Sequence, residues 1–139
     1  MQNKKILFTI MLLVTVVLGI SVVSAGLFDS SNNSDIVVEN ITIDSEGYSM
    51  YKVSADIIPK KDFTYLEMQV IFYDDSNAVI GKSPLVWNVN NPAKDQKIKA
   101  SGSALTDNEN YKPARAEVFI VDSSFGKTDD AIFVQNVTM

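Results

Sequence analysis

The densest group of potential metal ligands in this chain is the run Asp74-Asp75-Ser76-Asn77. A hard cation such as Ca²⁺ takes about six to eight oxygen ligands, and alternating carboxylate and amide oxygens open the usual calcium loop. The pattern stops early here, because Val79 stands where a further ligand is needed. A hairpin turn in which Asp and Asn accept backbone hydrogen bonds explains the same residues. Asp74, Asp75 and Asn77 are therefore calcium candidates, with a plain turn as the alternative.

Most catalytic chemistry is excluded by composition, because the 139 residues include no His and no Cys. Ser-His-Asp and Cys-His nucleophile systems cannot be assembled, and neither can zinc sites built on imidazole and thiolate. Glycoside hydrolysis needs two carboxyl groups held on either side of a cleft. The pairs Asp74/Asp75 and Asp129/Asp130 are sequence neighbours in predicted turns, where both side chains stay solvated. The composition predicts a protein that is not an enzyme and holds no cofactor.

Three Asn-x-Ser/Thr sequons are present, at Asn32, Asn40 and Asn136. In an exported chain such sequons are candidate N-glycosylation sites. Asn32 falls in a polar linker, whereas Asn40 and Asn136 fall in predicted strands. These two would need side chains that face outward.

The first 25 residues have the pattern of an export signal. Lys4 and Lys5 precede an uncharged apolar run over residues 6–23, and small residues follow through Ala25. A basic start, an apolar segment and a small-residue exit are typical of secretory signals. The run is also close to the ~20 residues that a membrane-spanning helix requires, so a cleaved signal and a retained anchor both stay open. In either case the lysines stay in the cytoplasm, and we expect the remainder outside the cell membrane, anchored or secreted.

The exported part is one acidic domain. Without residues 1–25 it carries 10 basic and 17 acidic residues, a net charge of −7. A nucleic acid is bound through a basic surface that displaces its counterions, so we expect no nucleic acid partner. Residues 26–35 are small and polar and predict a flexible tether. Residues 36–139 are of a length typical of a single domain.

Apolar residues recur with a period of two after residue 36. The clearest apolar face consists of Leu66, Met68, Val70 and Phe72, with Glu67 and Gln69 on the opposite face. Similar alternation covers residues 51–57 and 115–120, and shorter β-rich runs cover 36–43, 78–80, 85–89, 97–104 and 131–137. Turn-forming Asp, Asn, Gly and Pro residues separate them. The pattern predicts an all-β, immunoglobulin-like two-sheet antiparallel sandwich of about seven or eight strands, preceded by one N-terminal apolar helix.

One segment resembles a known family. Val70-Ile-Phe-Tyr-Asp-Asp-Ser-Asn-Ala-Val-Ile-Gly81 resembles the signature hairpin of the FxLYD-type immunoglobulin-like domains of exported prokaryotic proteins. Residues 112–120 are similar to the family's closing strand, in which Pro precedes a Val/Ile-rich segment. The chain departs from the pattern where no Leu stands between Phe72 and Tyr73, and where Ala78 replaces the expected Gly. The resemblance covers residues 36–122 and implies an immunoglobulin-like fold, an exported setting and no catalytic residues.

These observations favour a non-catalytic interaction or structural module at the cell surface. Its expected partners are envelope or cell-surface proteins or glycans, and the membrane itself through residues 6–23 if these are not removed. The alternative is a ligand-binding module for envelope carbohydrate or calcium. Trp87 is the candidate for stacking a sugar ring, but Leu85 and Val89 at a spacing of two predict that all three face the core.

Overall fold

Seven strands and one short 3-10 helix form the part of the chain that the structure describes, residues 35–139 of a computed structural model. In chain order they are β1 (Ile36–Gly47), β2 (Met50–Pro59), β3 (Tyr65–Tyr73), β4 (Val79–Asn90), β5 (Ile98–Leu105), β6 (Arg115–Val121), the 3-10 helix (Thr128–Asp130) and β7 (Phe133–Thr138). The predicted signal or anchor, the N-terminal helix, the sequon at Asn32 and nearly all of the tether lie outside these residues. Within residues 35–139 no helix is long and apolar enough to span a membrane.

The strands form two antiparallel sheets, which confirms the all-β prediction. Sheet A has the order β1-β2-β5, and sheet B has the order β4-β3-β6-β7. Every strand pairing is antiparallel. The two sheets enclose one apolar cluster that draws side chains from both. The architecture is thus a two-layer β-sandwich.

The core lies where the period-two pattern predicts it. The inner side chains of β3, Leu66 to Phe72, are fully buried, and so are Val53 and Ile57 of β2. The rings of Tyr51 and Phe72 meet across the two sheets with 5.0 Å between their centroids. Because one face of β2 and one face of β3 are apolar throughout, burial against the opposite sheet fixes which face turns inward.

Two predicted strands, 78–80 and 85–89, are one strand. β4 runs without a break from Val79 to Asn90. The pairing with β3 shifts register between the Met68–Trp87 and Val70–Ser83 pairs. An edge strand tolerates Pro, and extra residues are accommodated as a bulge.

The bulge also overturns the expected face of Leu85. Leu85 is 46% exposed, whereas Val86 is buried. Trp87 and Val89 are partly buried and pack against the core. The extra residues of the bulge break the period of two just before Trp87, so the prediction is confirmed for Trp87 and Val89 and wrong for Leu85.

The β4 and β5 edges of the two sheets meet, and two glycines allow this contact. A Cβ atom on Gly102 would lie 1.8 Å from the Val86 carbonyl oxygen, and one on Gly81 would lie 2.4 Å from the Leu105 carbonyl oxygen. Real side chains are excluded at such distances, so only Gly fits. The sandwich is therefore closed along β4 and β5.

The loops gather at two ends. The N-terminal end holds Asp35 and residues 60–64, 91–97 and 122–132, and the backbone N–H of Lys60 donates to the Asp35 carbonyl oxygen. The C-terminal end holds residues 48–49, 74–78 and 106–114, together with Met139. These names are used below.

Candidate interaction surface

The face of sheet B that turns away from the core carries two Tyr–Glu pairs. Tyr65 and Glu67 lie near the N-terminal end of β3. Tyr73 lies at the other end of β3, with Glu117 on the neighbouring β6. Each tyrosine hydroxyl donates a hydrogen bond of 2.6 Å to its glutamate. The surroundings of the two pairs differ completely.

Glu67 is a fully buried carboxylate that is surrounded by hydrogen-bond donors. Its relative exposure is 0%. Besides the Tyr65 hydroxyl, the Gln69 side-chain amide donates to it at 2.8 Å and the Phe125 backbone N–H at 3.1 Å. Within residues 35–139 no Lys or Arg forms an ion pair with it. A buried carboxylate is costly unless it is hydrogen-bonded, and these three donors meet that need.

The loop between β6 and β7 covers this carboxylate. The Gln69 amide donates both to Glu67 and, at 2.9 Å, to the Gly126 carbonyl oxygen. Two hydrogen bonds therefore hold the loop, one through the Phe125 N–H and one through the Gly126 carbonyl oxygen. Glu67 and Gln69 do face away from the core as their alternation predicts, but this loop buries them.

Phe125 has a strained backbone and an exposed side chain. Its φ is 50°, in the left-handed region that bulky residues avoid, and its side chain is 66% exposed. Such strain persists only where the surrounding structure imposes it, and it concentrates at functional sites. Here the turn bond from the Gly126 N–H to the Ser123 carbonyl oxygen and the bonds to Glu67 and Gln69 hold this conformation.

The second pair belongs to a cluster around Arg115. The guanidinium lies 3.6 Å from the centre of the Tyr73 ring. It donates to Glu117 at 3.2 Å, to Asn136 at 3.1 Å and to Asn77 at 3.0 Å. This cluster links β3, β6, β7 and the turn after β3.

Both tyrosines are poor acids for the same reason. Burial, followed by the hydrogen bond to Glu117, raises the pKa of Tyr73 to about 12. Burial, followed by the hydrogen bond to Glu67, raises the pKa of Tyr65 as well. Both hydroxyls thus stay protonated at neutral pH and serve as donors.

A shallow groove runs between the loop and the outer side of β4. Its volume is about 340 Å³. Ile71, Lys82 and Pro84 line it from the sheet, and Lys127 and Asp129 line it from the loop. The groove lies directly beside the segment that carries Phe125.

The calcium candidates form a closed turn. One Asp74 carboxylate oxygen accepts from the Ser76 N–H, the Ser76 hydroxyl and the Ala78 N–H. The Ser76 hydroxyl is the main cause, followed by the Ala78 N–H, of an Asp74 pKa below its ordinary value. Asn77 accepts from Arg115 rather than from backbone, and Asp75 is exposed. Across residues 35–139 no group of three or more acidic side chains is placed to hold a metal ion.

The two sequons within the described residues lie on outer faces. Asn40 is exposed at a bulge in β1, with a φ of 53°. Its amide donates to Asp56 at 2.8 Å, and this bond is the largest cause of a lowered Asp56 pKa, ahead of Lys99. Asn136 is partly exposed and accepts from Arg115. Glycosylation of either residue stays a prediction.

Comparison with known proteins leaves the chain to be interpreted from its own residues. No family model matches it, and no curated protein matches it either. The FxLYD resemblance accordingly stays an interpretation of the hairpin residues.

Sequence reasoning missed two residues of this surface, the buried Glu67 and the exposed Phe125. Glu67 was assigned to a strand face without regard to burial, and Phe125 was not singled out. A lone aromatic within Ser123-Ser124-Phe125-Gly126 is a usable signal, because small turn-forming residues on both sides leave no strand in which to bury it.

Proposed function

We propose that this chain is an exported, non-catalytic interaction module with an immunoglobulin-like fold, which binds a partner through the loop at residues 122–132. In the constant-type immunoglobulin sandwich the first, second and fifth strands share one sheet, and the third, sixth and seventh share the other. The structure divides these six strands in the same way, but its fourth strand pairs with the third, whereas the fourth strand of the constant type lies in the first sheet. That agreement and the hairpin at residues 70–81 support the family proposal.

The observation that carries the proposal is the display of Phe125. A folded chain gains nothing in stability from an exposed aromatic ring on a strained backbone. Here a buried carboxylate and a buried amide hold that conformation. Loops that are fixed by a rigid scaffold are frequent carriers of binding residues, and aromatic side chains dominate binding energy at protein interfaces.

Site-specific photocrosslinking in the native cells tests this proposal. A benzoylphenylalanine at position 125 should give a discrete higher-mass adduct. Tyr48 is the matched control, because it too is an exposed aromatic (89%) with a left-handed backbone (φ 50°), but it lies at the opposite, C-terminal end. Adducts from position 48 and none from 125 would place the interaction at the wrong end for this proposal, and no adduct from either would refute it.

We also propose that residues 6–23 remain as a membrane anchor. The apolar run is longer than the core of about 7–15 residues in a cleaved signal. A retained helix predicts that the protein stays with the membrane fraction after carbonate and high-salt washing, with its original N-terminus intact. N-terminal sequencing decides the matter, since a soluble chain that begins at Gly26 would mean cleavage.

A further inference from the structure

The groove beside the Phe125 loop is lined by two positively charged side chains and one negatively charged side chain. Lys82 and Lys127 both line it, one from β4 and one from the loop. Neither forms an ion pair with any residue in the described range 35–139. Both ammonium groups are therefore available to pair with a bound ligand.

Two acidic side chains near the groove are engaged elsewhere. Glu117 lies opposite Ile71 in the sheet, but it accepts from Tyr73 and Arg115. Glu67 is buried beneath the loop. Asp129 is the one acid among the groove-lining residues, against the two lysines. The groove therefore has a local positive balance.

The floor of the groove is aliphatic. Ile71 and Pro84 supply it, and Gln69 lines it from β3. A sugar ring is usually stacked on an aromatic floor, which these residues do not provide. In an extended peptide successive side chains point in opposite directions, so every second side chain can enter an aliphatic groove. The volume of about 340 Å³ is at the small end of ligand sites.

We propose that this groove binds a short peptide segment of the partner protein, in which aliphatic residues alternate with Asp or Glu. The aliphatic side chains contact Ile71 and Pro84, and the carboxylates pair with Lys82 and Lys127. Phe125 lies two residues before Lys127 and contacts the partner beside this segment. The inference rests on the proposed function and adds the chemical class of the partner.

The test uses the full chain in detergent micelles and two matched tetrapeptides. Acetyl-Glu-Leu-Glu-Leu-amide and acetyl-Gln-Leu-Gln-Leu-amide differ only in charge, and tri-galacturonate serves as an acidic saccharide. Titration is followed through the backbone amide signals of Ile71, Lys82 and Lys127. We expect the Glu peptide to bind with a Kd of about 0.1–1 mM, weakening with salt, and the Gln peptide to bind at least fivefold more weakly.

The variants separate the groove from general electrostatics. K82Q/K127Q should weaken the Glu peptide by about fivefold to tenfold. K52Q/K112Q removes the same charge from two exposed lysines outside the groove and should change nothing. Equal weakening by both double variants, or no shift at the groove amides with the Glu peptide, overturns the inference. Binding of tri-galacturonate in place of the peptide overturns it in favour of an acidic saccharide.

Photocrosslinking distinguishes failure of the groove inference from failure of the proposed function. If position 125 captures a partner and K82Q/K127Q leaves the yield unchanged, the interaction loop stands and the groove inference falls. If position 125 captures nothing, the proposed function itself falls. A yield reduced by K82Q/K127Q and unaffected by K52Q/K112Q supports both.

Discussion

The two Tyr–Glu pairs on the outer face of sheet B have the same hydrogen bond and opposite surroundings. Glu67 is fully buried and is met only by neutral donors, one of them the backbone N–H of Phe125. Glu117 is partly exposed and is met by Tyr73 and the Arg115 guanidinium. The comparison shows that the pair at Glu117, which includes an ion pair with Arg115, joins strands. The pair at Glu67, which has only neutral donors, positions a loop.

Energetics explain why the two pairs are not equivalent. A carboxylate that is accessible to water loses little when one partner is removed, because solvent replaces it. A buried carboxylate and its buried donors have no such replacement, so each lost partner leaves an unsatisfied group. The pair at Glu67 should therefore dominate the stability of its region.

The largest effect is expected from Glu67→Ala. It leaves the Tyr65 hydroxyl, the Gln69 amide and the Phe125 N–H without their acceptor, and we expect a loss of about 2–3 kcal/mol in the free energy of unfolding. Urea unfolding followed by Trp87 fluorescence measures it. Glu67→Gln keeps the size and one acceptor oxygen and should lose less. A change below about 0.5 kcal/mol for the Ala variant would show that Glu67 does not hold the loop.

Glu117→Ala should cost about 1 kcal/mol, because Tyr73 and Arg115 remain accessible to water or to Asn136 and Asn77. The same unfolding experiment in about 1 M salt should reduce the cost further, since screening weakens partly exposed ion pairs. A cost equal to or above that of Glu67→Ala would reverse the comparison between the two pairs.

Phe125→Gly should stabilise the fold slightly, and the proposed function predicts that it abolishes partner binding. Glycine relieves left-handed strain of about 1–2 kcal/mol, against an entropic cost of about 1 kcal/mol, so a net gain of about 0.5 kcal/mol is expected. Phe125→Ala is the control, because it removes the ring and keeps the strain. A Gly variant no more stable than the Ala variant would mean that the backbone of this loop is not strained.

The smallest effect concerns the ionisation of the Tyr73 hydroxyl, which changes the free energy of unfolding only at alkaline pH. Its pKa is about 12 in the fold, against an ordinary value of 10.0. Since the folded state holds this proton more tightly, its contribution to stability is complete below pH 10 and is lost as pH rises towards 12. Unfolding free energies at pH 9 and pH 11 should differ less in Tyr73→Phe than in the wild type. An identical difference in both would assign the alkaline loss to other groups.

The sheets and the core could be predicted from sequence because the alternation of apolar and polar residues indicates which face of a strand turns inward. The alternation at residues 66–72 is sufficient to bury Phe72 against sheet A. The prediction failed at Leu85, because a bulge adds residues to β4 and interrupts the alternation of buried and exposed side chains. Local pattern does not reveal a bulge in an edge strand, because the bulge is defined by the register of β4 against β3.

The candidate site could not be predicted in the same way, because its parts are distant in the chain. Phe125 and Glu67 are 58 residues apart. Asn77 was expected to accept backbone hydrogen bonds within its turn, but Arg115, 38 residues later, supplies the donor. Which polar residue meets which loop depends on the packing of the whole sheet.

The closure of the sandwich at Gly81 and Gly102 has a consequence for self-association. With β4 and β5 facing each other, β1 and β7 are left as the sheet edges that another strand could extend. β7 has six residues, and β1 is interrupted by a bulge with Asn40 in a left-handed conformation. Short or bulged edges are poor templates for added strands. Copies of the domain crowded on one surface can thus touch side by side without polymerising through their sheets.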